Sequence, residues 1–240
     1  MEAKVLLGSF ICLDIIASAS TRSPPSFDLD HKYLLNTFHI SLESLFGCGT
    51  RVMILILDIV HLDNWKKEAE KFHQLSLVEL VKRGARIEES LRQELVAMKS
   101  EHSLESHNST LSTAQTDITS IFALSALTYL HVVISGAHPE LPEIVESISK
   151  TINALKCLTE PRLLRNLVWP FCVTGCLAAE EQQDFLRELV SKAEITPFTI
   201  GTCFQAFKIV EECWEMRKTR LHNCDWAFIM NRRGYNVLLI

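Results

Sequence analysis

Residues 76–98, SLVELVKRGARIEESLRQELVAM, show most clearly which kind of fold the chain adopts. Apolar residues recur there at steps of three and four, and the charged residues lie off that stripe. This period is typical of an amphipathic helix that packs one face against a core. The segment therefore predicts a long helix with a buried stripe of Leu77, Leu80, Val81, Gly84, Ile87, Leu91, Leu95 and Met98.

The helical pattern continues in both directions from this segment. Apolar periodicity predicts further helices over residues 1–20, 51–65, 118–139, 141–155, 171–178 and 180–193. After Pro197 another helix is predicted, with a seam formed by Ile200, Cys203, Phe207, Val210 and Trp214. The chain has only 8 glycines and 7 prolines in 240 residues, and no stretch shows sustained period-two alternation. We therefore expect an all-α, multi-helix bundle of roughly eight to ten helices.

Composition and charge exclude some classes of protein. Hydrophobic residues make up 48% of the chain and charged residues 22%, which gives ample apolar surface for a folded core and excludes a disordered chain. Lys and Arg number 24 against 29 Asp and Glu, for a net charge of −5. A dedicated nucleic-acid-binding protein has a strongly basic balance, so this charge argues against one.

Two apolar stretches resemble targeting or membrane segments. Residues 1–20 contain an apolar run and a small-residue motif, but Glu2 spoils a positive start and Asp14 interrupts the run. Residues 118–139 contain no Asp, Glu, Lys or Arg over a length that can span a bilayer. Ser, Thr and His recur along one side of that stretch at helical spacing. We therefore expect core helices in both places and no membrane association.

The composition changes abruptly between residues 100 and 116. Serine recurs there at every third position from Ser100 to Ser112, together with three threonines and only two leucines. Such a stretch is typical of a flexible, solvated loop. We predict one helical domain over residues 1–240, with a Ser/Thr-rich loop at 100–116.

The eight cysteines do not form a recognisable metal or disulfide framework. No CxxC occurs in the sequence, so neither a zinc ribbon nor a thioredoxin-type motif is present. Cys172 and Cys176 are four residues apart in an apolar run, without a nearby His, Asp or Glu. We therefore expect free, buried cysteines in a reducing compartment, and no bound metal or cofactor.

The sequence also lacks the common catalytic and phosphate-binding motifs. It contains no GxGxxG, GxxxxGK[ST], HExxH or GxSxG, and no pair of carboxylates stands out, so no catalytic residue is predicted. One local cluster of cations lies near the C-terminus, where contact with phosphates is conceivable and a solvated surface is the plainer interpretation. This weak basic patch consists of Arg217, Lys218, Arg220, Arg232 and Arg233.

Several segments resemble, in the same order, the helical regulatory region of fungal zinc-cluster transcription factors. They include CLDIIASASTRSPP at 12–25, LESLFGC at 42–48 and VMILILDI at 52–59. LVWPFCVTGCLA at 167–178 is similar to that family's apolar Trp-Pro helix, and residues 224–240 resemble its terminal Trp, Met, Gly and Leu pattern. The resemblance covers nearly the whole chain and is nearest to the subset like the fungal arginine-metabolism regulator.

This resemblance implies a nuclear regulator of transcription by RNA polymerase II, of the kind that also controls secondary-metabolism gene clusters. In the family a six-cysteine zinc cluster reads DNA, and this chain has no such cysteine set. We therefore expect no direct DNA binding, and protein partners instead: the transcription machinery or a related regulator, in a homo- or heterodimer. An in-frame six-cysteine motif upstream of Met1 in the genome would indicate a truncated gene.

Two other functions stay open on the sequence alone. The first is an all-α enzyme or small-molecule-binding protein with a pocket between apolar helices, which would require converging His, Cys and carboxylate groups. The second is a helical scaffold with no role in transcription.

Overall fold

The computed structural model describes residues 2–104, 110–219, 224–234 and 236–240. Within these residues the chain forms eleven α-helices, ten of them with seven or more residues, together with one 3-10 helix and no strands. The all-α prediction is confirmed, and the number of helices is close to the predicted range.

The chain divides into two compact units, Met1–Ala123 and Leu124–Ile240, and α6 runs from the first unit into the second. The first unit contains α1 (Glu2–Thr21), α2 (His31–Thr37), α3 (Glu43–Phe46), α4 (Thr50–Lys71), α5 (Leu77–Leu104) and the start of α6 (Thr110–Ser135). The second contains α7 (Pro142–Lys156), the 3-10 helix Pro161–Asn166, α8 (Val168–Leu177), α9 (Glu180–Lys192), α10 (Cys203–Lys218) and α11 (Trp226–Arg233). The single domain over 1–240 stays a prediction.

In the first unit, α4 packs against both α1 and α5. The predicted stripe of α5 is buried only in part: Leu80, Gly84 and Leu91 are buried, whereas Leu77 and Val81 are exposed. The first turn of α5 therefore presents apolar side chains to solvent.

Two buried aspartates, Asp14 and Asp63, fix the proline-containing connector after α1. His31 Nε2 lies 2.9 Å from Asp14 Oδ2, and the other oxygen of Asp14 accepts a 2.9 Å hydrogen bond from the backbone of Ser26. Arg22 donates two hydrogen bonds, of 2.9 and 2.8 Å, to the buried carboxylate of Asp63 in α4. The residue that interrupts the apolar run of α1, Asp14, is therefore a structural anchor for the connector.

Two helices in the described part of the chain are long and apolar enough to cross a membrane: Glu2–Thr21 and Ala114–Ser135. The apolar stretch of the first helix is 50% buried inside the protein, and that of the second is 78% buried. Helices in a protein core can be equally long and apolar.

In the second unit the polar side of α6 makes internal hydrogen bonds, from Thr128 Oγ1 to Ser147 Oγ at 3.0 Å and between Ser125 Oγ and Thr174 Oγ1 at 3.2 Å. The buried hydroxyls therefore have partners on α7 and α8.

The second unit is built around α8, in which every residue is buried. Helices α7, α10 and α11 and the 3-10 helix pack against it. The approach of α10 is close: a Cβ atom on Gly175 would lie 3.0 and 3.1 Å from the two methyl groups of Val210. Trp214 Nε1 donates a 2.8 Å hydrogen bond to the carbonyl of Gly175 near the end of α8, which also accepts the backbone amide of Ala178 at 3.2 Å.

Two local predictions differ from the structure. The helix expected after Pro197 starts only at Cys203, so the prediction that Ile200 begins its buried seam is wrong, because Gly201 has a φ of 99° and interrupts the helix. In the predicted Ser/Thr-rich loop at 100–116, residues 100–104 and 110–116 lie in α5 and α6, because Ser and Thr cost a helix little per residue. Residues 105–109 lie outside the described residues.

We expect Asp63→Asn to lower the free energy of unfolding by about 2 kcal/mol at neutral pH, because it removes a buried, charge-assisted pair with Arg22. Burial raises the pKa of Asp63, but Arg22 and Lys67 outweigh burial and hold it below 3.8. The contribution is therefore present above that pH and is lost as the pH falls through the lowered value. Urea unfolding at neutral and strongly acidic pH measures both effects.

The matched control is Glu79→Gln, which removes an exposed pair with Arg83 and should leave the unfolding midpoint unchanged. Equal effects of the two substitutions at neutral pH would contradict this assignment.

We expect Gly175→Ala to destabilise the fold by about 1 kcal/mol, because overpacking against Val210 exceeds the helix propensity that alanine gains. Val210 is fully buried and β-branched, so its methyl groups cannot rotate away. In the Val210→Ala background the same substitution should be neutral or stabilising. Denaturant unfolding of the four proteins measures this coupling, and additive effects would contradict the close approach.

Candidate functional site

A cluster of thiols and several charged groups of the second unit lie around the contact of α8 with α10. A cleft of about 360 Å³ opens there, lined by Pro139, Glu140, Ala178, Ala179, Glu180, Gln183, Trp214, Arg217 and Lys218. Its aromatic wall is Trp214, and the Arg187 guanidinium lies 4.9 Å from the centre of that ring. The cleft contains two cations and two glutamates, but neither histidine nor cysteine lines it.

The described cations of the predicted basic patch make contacts within the protein. Arg217 donates to the carbonyl of Cys176, so it covers the C-terminal end of α8, and Lys218 pairs with Glu215 at 2.7 Å. These interactions are typical of basic residues at helix C-termini.

The two cations on α11 also lie against α10. Arg233 Nε lies 2.6 Å from the carboxylate of Glu212, and Arg232 donates to the sulfur of Met216. Arg220 lies outside the described residues. The structure therefore brings the four described members together at the ends of α10 and α11, where internal contacts account for them without a ligand. Phosphate contact by the patch stays a prediction.

Four cysteines lie next to one another in the core of the second unit. The thiol of Cys176 has hydrogen-bond contacts with those of Cys172 and Cys213, and Cys213 Sγ lies 3.8 Å from Cys224 Sγ. All four are buried and free. The sequence shows that Cys172 and Cys176 are four residues apart. Cys213 lies in α10 and Cys224 directly precedes the N-cap of α11, so only the fold brings these two next to the first pair.

The environment of Cys176 and Cys213 keeps their thiols protonated. Burial raises the pKa of Cys176 and of Cys213 well above the ordinary value of 9.0. Burial also raises the pKa of Cys12 and of Cys203 to about 12. Because the thiolate is the form that ligates metals and attacks electrophiles, these cysteines are chemically inert in the folded state. Within the part of the chain that the structure describes, no group of three or more His, Cys, Asp or Glu residues is placed to hold a metal ion.

Comparison with known families identifies the class of this domain: the fungal specific transcription factor domain matches residues 1–240. The chain therefore belongs to the fungal specific transcription factor domain family. The resemblance found in the sequence is confirmed, and the family is one of transcription regulators, not of enzymes.

Relatives with known roles point the same way. The chain is 37% identical to the trichothecene biosynthesis transcription regulator of Trichoderma arundinaceum, over 98% of this chain and 52% of that protein. It is 30% identical to the ustiloxin B cluster transcription factor of Aspergillus flavus, over 100% of this chain and 43% of that protein. The chain thus spans about half the length of these relatives. No solved structure matches it.

We expect a thiol reagent to modify one cysteine rapidly in the folded protein. Cys157 is exposed and the other seven cysteines are buried. Colorimetric thiol titration before and after unfolding measures both classes.

The control for this titration is Cys157→Ser, which should abolish the fast phase and leave the slow one. Rapid modification of several thiols in the folded protein would contradict the buried cluster.

Proposed function

We propose that this domain regulates transcription of a secondary-metabolite gene cluster by RNA polymerase II, and that it acts through contacts with other proteins. The observation that carries the proposal is the family match over residues 1–240, together with relatives that are named regulators of trichothecene and ustiloxin clusters. The domain works in the nucleus, where its partners are the transcription machinery or a related regulator, bound as a homo- or heterodimer.

Several properties of the chain support regulation without direct reading of DNA. The net charge of −5 opposes binding to a polyanion, and the sequence contains no CxxC from which a zinc cluster could be built. The described cations near the C-terminus are held by carbonyls, carboxylates or sulfur, as with Arg217 and Arg233. Neutralising phosphates with them would require breaking these contacts.

We expect the purified chain to give no sequence-specific mobility shift with promoter DNA of a biosynthetic cluster, and to contain no stoichiometric zinc by elemental analysis. The expected result follows from the acidic net charge and from the engaged cations. A sequence-specific shift together with two zinc ions per chain would contradict it.

The regulatory role itself is tested by fusing the chain to a heterologous DNA-binding domain in a fungal host that carries the matching reporter. We expect the fusion to change reporter output several-fold relative to the DNA-binding domain alone. The matched control carries Trp169→Asp, which places a charge at a fully buried position of α8 and should abolish the effect. Equal output from the fusion and the DNA-binding domain alone, at equal nuclear levels, would contradict the proposal.

A further inference from the structure

A pocket of about 240 Å³ lies between α4 and α5 in the first unit, where the two helices pack together. Leu62 of α4 and Ile87 of α5 supply its apolar part. Four titratable side chains supply its polar part: Asp58, His61, Arg83 and Arg86. Three of these four are basic, although the chain as a whole has a net charge of −5. The pocket is therefore a local concentration of basic groups.

Arg83 is held in place by two contacts within the first unit. The carbon of its guanidinium group lies 4.3 Å from the centre of the Trp65 ring, and its Nε donates a 2.8 Å hydrogen bond to Glu79. Among the described residues, its two terminal nitrogens have no acceptor. A guanidinium group that is already fixed in this way loses little conformational entropy when an anion binds to its remaining donors.

The second arginine of the pocket, Arg86, differs from every other arginine that the structure describes. The side chains of the others contact a carboxylate, a carbonyl or a sulfur atom, as Arg51 does with Glu94 at 2.8 Å. Within the described residues the side chain of Arg86 makes no hydrogen bond and no ion pair. Arg83 lies three positions earlier on the same helix, so the two like charges repel each other unless an anion lies between them.

The other two titratable groups are compatible with an anion in this pocket. Asp58 is the one acid among the described lining residues, and Lys32 Nζ pairs with it at 2.5 Å. Burial lowers the pKa of His61 below 6.5, with Lys32 and His31 acting in the same direction and Asp58 and Asp30 against it. A neutral imidazole ring still carries one N–H donor. The side chain of His61 makes no hydrogen bond within the described residues, so this donor is available to a ligand.

We propose that this pocket binds a small molecule that carries one oxyanion group, a phosphate or a carboxylate, next to a short apolar part. Arg83 and Arg86 hold the oxygen atoms, because guanidinium groups bind oxyanions through paired N–H donors. His61 supplies a further donor, and Leu62 and Ile87 cover the apolar part. The volume lies just below the range of about 300–1,000 Å³ that is typical of ligand pockets, so the ligand is small.

Inorganic phosphate is the first probe, and the imidazole NMR signals of His61 in the full chain are the readout. The His61→Gln variant identifies these signals among those of the nine histidines. At constant ionic strength we expect a saturable shift with a dissociation constant of about 1 mM. Bound phosphate should also raise the pKa of His61, because a nearby anion favours the protonated ring. Absence of a saturable shift well above that concentration would overturn the proposal.

Two substitutions separate this pocket from the general charge of α5. Arg86→Gln removes a lining cation and should weaken phosphate binding about tenfold, because it removes a charge-assisted hydrogen bond. Lys82→Gln removes an exposed cation one turn earlier that does not line the pocket, so binding should change less than about twofold. Both side chains are exposed, so the melting temperature should stay within about 2 °C of the unsubstituted chain. Equal losses from the two substitutions, or no loss from Arg86→Gln, would overturn the assignment.

Phenyl phosphate and benzoate distinguish the two head groups and test the apolar part of the ligand. We expect phenyl phosphate to bind several-fold more tightly than inorganic phosphate, and benzoate more tightly than acetate, because the ring covers Leu62 and Ile87. Tighter binding of phenyl phosphate than of benzoate identifies a phosphate ligand, and the reverse order identifies a carboxylate. If both aromatic compounds bind more weakly than the bare anions, the proposed apolar part of the ligand is wrong.

Discussion

The second unit depends on the complete burial of α8. A helix that is apolar on every side must be covered on every side, and its last carbonyls still need hydrogen-bond donors. Helix α10 contributes to both: its apolar face closes on α8 because Gly175 has no side chain, while Trp214 and Arg217 bond to carbonyls at the end of α8. The other sides of α8 are covered by α7, α11 and the 3-10 helix.

This arrangement explains why the chemistry of the chain lies at its surface. The thiols around Cys176 are buried, and the described cations near the C-terminus are occupied by carbonyls, a sulfur atom and carboxylates of the protein itself. In the first unit the buried side chains of Asp14 and Asp63 fix the connector after α1. The most exposed large apolar side chains among the described residues are Phe198 and Ile200.

The sequence predicted the features that depend on local periodicity. The spacing of apolar residues predicts the all-α class, the long helix from Leu77 and the apolar helix over 171–178. This spacing is a local property, because it depends only on neighbouring turns of the same helix. Each segment that resembles the family is a weak signal by itself, but the order of these segments along the chain was enough to indicate the family. The basic patch was visible in the sequence as a cluster of cations. Of the acids that pair with its members, only those close in sequence, such as Glu215 one turn before Lys218, could have been identified as partners.

The remaining features depend on contacts between distant residues. Asp14 looked like an interruption because its partner, His31, is set by the folding of the connector. Ile200 fitted a helical seam by spacing alone, and the left-handed Gly201 that excludes it from α10 gives no periodic signal. Its exposure could be found only in the structure.

The most direct test of the central claim, that this domain controls transcription, is RNA sequencing of a strain that lacks the gene. The account predicts that transcripts of a contiguous set of biosynthetic genes change together, and that they recover when the chain is expressed again. Unchanged transcripts of every biosynthetic cluster, under conditions in which the chain is expressed, would contradict it.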